Sequence, residues 1–237
     1  MRMTSPTPCL WLLLPALLIG LTAQAGDNSG HTIPGWGQVI EPDGDCIVTA
    51  GDGTLTVAVP GTTHDLSSYR SIYKKRNAPR VLREVDGDFT VQVKVSGSFE
   101  PGKAGTLPGA YPFNGAGLLL WANDENYLRL ERNVWITSHG ERSSYLPLFE
   151  YWKDDKDLTQ GTPSTKPFFK GRSAYLRLTR QGNQDRAAVS NNGVDWVATH
   201  PVTVQFPRTI KVGVAAINTS KQPFKVEFAE LKLVSEK

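Results

Sequence analysis

An all-β fold of two packed antiparallel sheets is what this sequence predicts, on three observations. From Trp36 onward apolar residues recur with period two in short runs, separated by Gly, Pro, Asn and Asp. Nowhere in that region does a sustained i, i+3, i+4, i+7 stripe appear. The chain has 237 residues with Gly 22, Pro 16 and 9% aromatics, the composition of a globular protein and a length that one sandwich with a single core accommodates. Its 26 Lys and Arg against 23 Asp and Glu leave a net charge of +3, too weak a field to argue for a nucleic-acid partner.

The chain opens on a targeting segment. Arg2 precedes an apolar stretch over residues 10–21, followed by Ala23-Gln24-Ala25, the small-x-small pattern that signal peptidase accepts. At 12 residues this stretch falls short of the roughly 20 that a spanning helix needs. The expected organisation is a signal peptide over 1–25, a leader over 26–35 and one β-sandwich domain over 36–234. The mature product is expected to be secreted or periplasmic, with no membrane association after cleavage. Cys9 leaves with the signal, so Cys46 remains alone, no internal disulfide forms, and Cys46 reads as a small buried apolar residue rather than a reactive thiol. The sequon Asn218-Thr219-Ser220 matters only in a host that N-glycosylates.

Strands follow in order. The clearest is 88–95, where Phe89, Val91, Val93 and Val95 point one way and Thr90, Gln92 and Lys94 the other. Similar runs occupy 54–59, 80–85, 117–122, 127–133, 144–151, 175–180, 186–190, 210–217 and 225–234. Asp86-Gly87, Gly182-Asn183 and Asn192-Gly193 supply residues that tolerate positive φ in the hairpins between them. Residues 100–114, with three prolines and three glycines, read as a surface loop, and 153–171 as a second irregular region. Ser190-Asn191-Asn192-Gly193-Val194-Asp195-Trp196 is similar to the Asp box of sialidase-like propellers, but it occurs once, so it reads as a hairpin with Trp196 packed beneath the turn.

Most catalytic signatures are missing. No Gly-x-Ser-x-Gly elbow, P-loop or dinucleotide fingerprint occurs, and no cofactor is expected. His31, His64, His139 and His200 are dispersed without a spacing that gathers ligands on one element, so no transition-metal site is expected. Asp43, Asp45 and Asp52 read as turn residues, with a calcium site as the alternative. Glycoside hydrolysis asks for two carboxylates flanking the bond. Glu131 and Glu150 each lack a carboxylate at i±2 on their own strand face, so hydrolysis would need a partner from a neighbouring strand.

The most informative pattern is a near-duplicate pair, Tyr127-Leu128-Arg129-Leu130-Glu131-Arg132 and Tyr175-Leu176-Arg177-Leu178-Thr179-Arg180. Alternation drives the leucines into the core and turns the odd-numbered residues to the opposite face. If the two strands are neighbours, one solvated face carries Tyr127, Arg129, Glu131, Tyr175 and Arg177, with Arg80 and Trp135 as nearer additions than any loop residue. Rings that stack on sugars beside donors for hydroxyls suit a polysaccharide or glycan, and two arginines against one glutamate favour an anionic one. The same residues also suit an ordinary cross-strand ladder of salt bridges. Trp135, Tyr145, Phe149, Tyr151 and Trp152 form a second aromatic group that one side of a strand cannot hold entire.

Asn77-Ala78-Pro79-Arg80-Val81-Leu82, Gly87-Asp88-Phe89, Val91-Gln92-Val93-Lys94-Val95, Gly115-Ala116-Gly117-Leu118-Leu119-Leu120-Trp121 and Asn126-Tyr127-Leu128-Arg129-Leu130-Glu131 together resemble a bacterial family of unknown function with the concanavalin A-like lectin/glucanase fold. Its relatives include the regulation-of-enolase-like proteins and the C-terminal domain of family 43 β-xylosidases. The resemblance implies a jelly roll with a concave face and no established catalytic residues, since the family has no settled activity. A non-catalytic carbohydrate-binding module is therefore expected, with a glycoside hydrolase, or a structural or protein-interaction domain of the cell envelope, as alternatives.

Overall fold

Wherever the apolar alternation is sharpest, the chain forms long strands. The structure, a computed structural model, describes residues 30–67, 72–146, 148–159, 162–164 and 169–236, so the expected signal segment lies outside the described residues. One sheet orders β1 (Thr32–Ile33), β2 (Gly37–Ile40), β5 (Arg80–Asp86), β17 (Thr209–Asn218), β7 (Phe113–Asn123), β8 (Asn126–Ile136), β10 (Leu148–Lys153) and β11 (Lys156–Thr159). Beside the end of β8 lies β9 (Arg142–Leu146), and beside that β12 (Thr162–Ser164). The second sheet orders β15 (Val197–Ala198), β14 (Gln184–Ser190), β13 (Ser173–Gln181), β6 (Phe89–Gly97), β18 (Phe224–Ser235), β4 (Thr54–Val59) and β3 (Ile47–Gly51), with β16 (Val202–Thr203) against β14. Neighbouring strands run antiparallel, and the described residues include no helix. The fold is an antiparallel β-sandwich of the concanavalin A-like jelly-roll type.

The core forms where the two inner faces meet. Phe89, Val91, Val93 and Val95 of β6 and Leu176 and Leu178 of β13 face Leu118 and Leu120 of β7 and Leu128 and Leu130 of β8, all buried in one cluster. Each such side chain contributes about 1.5–3 kcal/mol on leaving water. Because β17 sits between β5 and β7 while β18 sits between β6 and β4, the last two strands of the chain supply an interior strand to each sheet.

The first sheet is covered on its other face as well, where a solvated surface was expected. The connection from β4 to β5 runs back across it, held by paired 2.9 Å backbone hydrogen bonds between His64 and Asn218. It lays Leu66 and Ala78 on Leu119, Trp121, Tyr127 and Trp152, a second buried cluster. Strands β7 and β8 are consequently buried along nearly their whole length rather than alternately.

Four other expectations change. The two near-duplicate strands are not neighbours: β8 pairs with β7 and β10 in one sheet, β13 with β6 and β14 in the other. The 144–151 run divides into β9 and β10. The irregular region 153–171 contains β11 and β12, and strand pairing begins at Thr32, ahead of Trp36. The loop over 100–114 keeps its irregular path until β7 starts at Phe113.

Candidate functional site

Register places three aromatic rings side by side on the outer face of the first sheet. Trp121 of β7 is opposite Tyr127 of β8, which is opposite Trp152 of β10. Their ring centroids are 4.9 Å and 5.8 Å apart with nearly parallel planes. Cations cover the row: the Arg80 guanidinium lies 4.5 Å over Trp121, and that of Arg76 lies 5.5 Å from Tyr127 and 5.8 Å from Trp152. The Tyr127 hydroxyl donates to the Leu66 carbonyl, closing the row under the β4–β5 connection.

One register step along, Arg129 is directly opposite Glu150. Its Nε donates to Glu150 Oε2, which also accepts from Trp152 Nε1 at 3.0 Å, and its Nη1 lies 3.4 Å from Glu131 Oε1. Burial disfavours the guanidinium charge, but Glu131 and Glu150 outweigh it and hold Arg129 well above its ordinary range. Glu131 is pushed up to about 7 by burial, against the pull of Arg129. Asp65 is also raised by burial, with Arg129, Ser67 and the Leu66 N–H opposing. Room for the Glu131 carboxylate comes from Gly115, where a Cβ would lie 2.6 Å from Oε2.

A pocket of about 440 Å³ opens above this ion pair. Arg129, Glu150 and Asp65 line it with Trp135, Trp152 and Tyr73. Ser67, Ile72, Gly109, Ala110, Tyr111, Phe113, Asp157 and Thr219 complete the wall. Two loops meet over it, joined by the Tyr73 hydroxyl donating to the Tyr111 carbonyl at 2.8 Å. Ile72 and Tyr111 are more than half exposed at its rim.

Of the expected residues, Arg129 and Trp135 line this pocket. Tyr127 and Glu131 share their face but are 0% and 1% exposed, beneath the floor, and Arg80 is buried over Trp121, donating to the carbonyls of Arg76 and Ala78. Tyr175 and Arg177 lie on the outer face of the second sheet, in the cross-strand ladder that was the plainer reading. There Arg177 donates to Gln92 Oε1 at 2.7 Å and stacks 3.8 Å over Trp196, while Lys94 lies 5.5 Å over Tyr175 and 3.4 Å from Glu230. In the second aromatic group, Phe149 and Tyr151 enter the core, Trp152 joins the outer row, Trp135 is half-buried, and the Tyr145 side chain lies outside the described residues.

Loop residues are what the sequence reading missed. Asp65, Ser67 and Tyr73 come from a connection without period-two patterning, and only its length between two strands marked it as able to cover a face. Asn218 of the sequon is buried, with its amide donating to the Pro60 and Gln222 carbonyls, so it is out of reach of glycosylation in the folded chain.

No sequence family matches the chain, and no curated protein does. Solved structures do. A functionally unknown protein from Saccharomyces cerevisiae is similar over 85% of this chain and 97% of its own, at 19% identity and a TM-score of 0.63. A GH43 protein from Bacillus licheniformis and a xylan β-1,4-xylosidase from Bacillus halodurans are similar over 80% of this chain but 38% of theirs, at 14% and 13% identity and TM-scores of 0.55 and 0.51. At such identities the likeness is one of fold, and the lectin/glucanase-like β-sandwich is the part of the resemblance that it supports.

Proposed function

We propose that this chain is an exported, non-catalytic carbohydrate-binding module that takes a saccharide in the pocket above Arg129 and Glu150. One observation carries the reading: a solvent-open pocket sets Trp135, Trp152 and Tyr73 around a buried polar floor of Arg129, Glu150 and Asp65. Apolar walls with a few fixed donors and acceptors are what a sugar ring requires, stacking on one side and hydroxyl hydrogen bonds on the other. Export rests on the signal segment, and a mature N-terminus at Gly26 is its test.

The charge in the pocket alters the choice of sugar. The preference for an anionic glycan counted Arg177, which sits in the other sheet; here one arginine meets Asp65, Glu150 and Asp157. A neutral or amino-bearing saccharide fits that balance better than a uronic or sulfated one. Glu131 and Glu150 do find each other across strands through Arg129, but Glu131 is covered and Glu150 is committed to the guanidinium and Trp152, which favours binding over hydrolysis.

A glycan array followed by titration decides. Trp135→Ala, a half-buried ring, is expected to weaken binding about tenfold, roughly the loss of one stacking contact, while Tyr175→Ala leaves it unchanged. The reverse result, or no glycan bound while a protein partner co-purifies, overturns the reading. Released sugars that disappear on Glu131→Gln make the chain a hydrolase instead.

A further inference from the structure

Away from that pocket, where the turn after β2 meets the β4–β5 connection, four side chains of three chemistries converge. Glu41 follows β2, Asp45 and Cys46 precede β3, and His64 stands where the connection is clamped to Asn218. One ligand atom from each, two carboxylate oxygens, a thiol sulfur and an imidazole nitrogen, lie within 4.8 Å of one another. His64 Nε2 is 2.8 Å from Asp45 Oδ1, and Cys46 Sγ is 3.7 Å from the same oxygen. Glu41, Cys46 and His64 are buried, while Asp45 is the exposed wall through which an ion would enter.

We infer that Glu41, Asp45, Cys46 and His64 form a zinc site. Ligands of a tetrahedral zinc, bound at about 2.0–2.3 Å, sit about 3.3–3.7 Å apart, so the observed cluster needs only small side-chain movements to close on an ion. A mixed set of sulfur, nitrogen and oxygen donors selects zinc over calcium or magnesium, which take oxygen alone. The histidine is already turned to ligate. Its Nδ1 is 3.3 Å from the Thr62 carbonyl, an acceptor only, so a zinc ion that replaces the Nε2 proton shared with Asp45 finds the other ring proton held on Nδ1. Thr62 also donates from its hydroxyl to the second Asp45 oxygen at 3.2 Å, leaving Oδ1 turned to the cluster. Burial, Glu41 and Asp45 hold the thiol protonated without an ion, and a cation among these groups reverses that pressure as the proton leaves.

Four protein ligands make a closed, structural site. Its consequence reaches the pocket, because His64 precedes Asp65, whose backbone N–H donates to Asn77 Oδ1. The dispersal of the histidines along the chain hid the arrangement, since its ligands come from three separate segments.

The test uses the purified protein, reduced and stripped of metal by a chelator, titrated with Zn²⁺ and in parallel with Co²⁺ as a spectroscopic probe. One equivalent of either ion is expected to bind, with the strong visible bands of tetrahedral cobalt and a near-ultraviolet thiolate charge-transfer band. Cys46→Ser is expected to abolish that band and weaken zinc about 100-fold or more. Asp45→Asn, at an exposed side chain that folding tolerates, is expected to weaken it about tenfold or more. Failure to bind one equivalent, a six-coordinate cobalt spectrum without thiolate character, or zinc affinity untouched by both substitutions in protein that keeps its circular dichroism overturns the site. A thiolate band that survives Cys46→Ser does the same, and calcium binding in place of zinc refutes the donor assignment.

Discussion

Glu131 occupies a position that water does not reach, and its proton affinity follows from that. One oxygen faces Arg129, while Oε2 has no hydrogen-bond partner among the described residues. Burial therefore favours the protonated acid and moves the group from 4.5 to about 7. Asp185, buried near Arg180, is likewise pushed up to about 7 from 3.8. A carboxyl raised in the folded state stabilises fully below its unfolded value and loses that stabilisation as pH climbs through the folded one. Stability is thus expected to fall from about pH 3.8 for Asp185 and about pH 4.5 for Glu131 up to about pH 7, by at most about 1.4 kcal/mol per pH unit for each group, and then to level off. Urea midpoints measured across this range test it. Glu131→Gln removes the ionisation while keeping the shape and is expected to flatten part of the slope; an unchanged slope in both Glu131→Gln and Asp185→Asn assigns the pH dependence to other groups.

Among elements, the β4–β5 connection determines what the first sheet can do. It is pinned by Arg76, whose Nη2 is 2.6 Å from Asp155 Oδ1 and whose Nε donates to the Asp124 carbonyl at 2.8 Å, while its plane covers Tyr127 and Trp152. Arg76→Ala is expected to cost about 3 kcal/mol, since it leaves a half-buried carboxylate and uncovers two rings. Amides of residues 64–67 are expected to exchange faster in the variant; unaltered exchange there means that Leu66 and the Asn218 bridge hold the connection without the arginine. This element also marks where the sequence stopped being legible. Period-two alternation placed Leu128 and Leu130 inward and gave β4 its observed limits, because a buried face writes itself into alternate positions. It could not tell that Tyr127, Arg129 and Glu131 lie under a second layer, as Leu66 and Ala78 belong to no periodic run. Nor could near-identical hexapeptides reveal that β8 and β13 occupy different sheets: alternation reports which face a residue takes, while the sheet is chosen by contacts distant in sequence.

At the scale of the whole molecule, the C-terminal strands tie everything together. β17 and β18 close the interiors of both sheets, and the core between those sheets is continuous from Ile33 to Phe228. Neither sheet is complete, nor is either inner face fully covered, until the last thirty or so residues have been made and paired with strands far earlier in the chain. Two consequences follow from one cause. Unfolding in urea is expected to be a single transition, with tryptophan fluorescence, which reports Trp36 in the core and Trp121 and Trp152 in the outer row, coinciding with far-ultraviolet circular dichroism. Refolding, dominated by non-local pairing, is expected in the millisecond-to-second range. A chain ending at Arg208 lacks an interior strand in each sheet, which leaves β5, β7, β6 and β4 with open edges and exposes the apolar residues that Val212, Val214, Val226 and Phe228 cover. It is expected to show no cooperative transition. A truncated chain that still unfolds with a sharp midpoint, or two separated transitions in the intact protein, would mean that one sheet and its coverings fold alone, and the binding face would then be independent of the strands that complete both sheets.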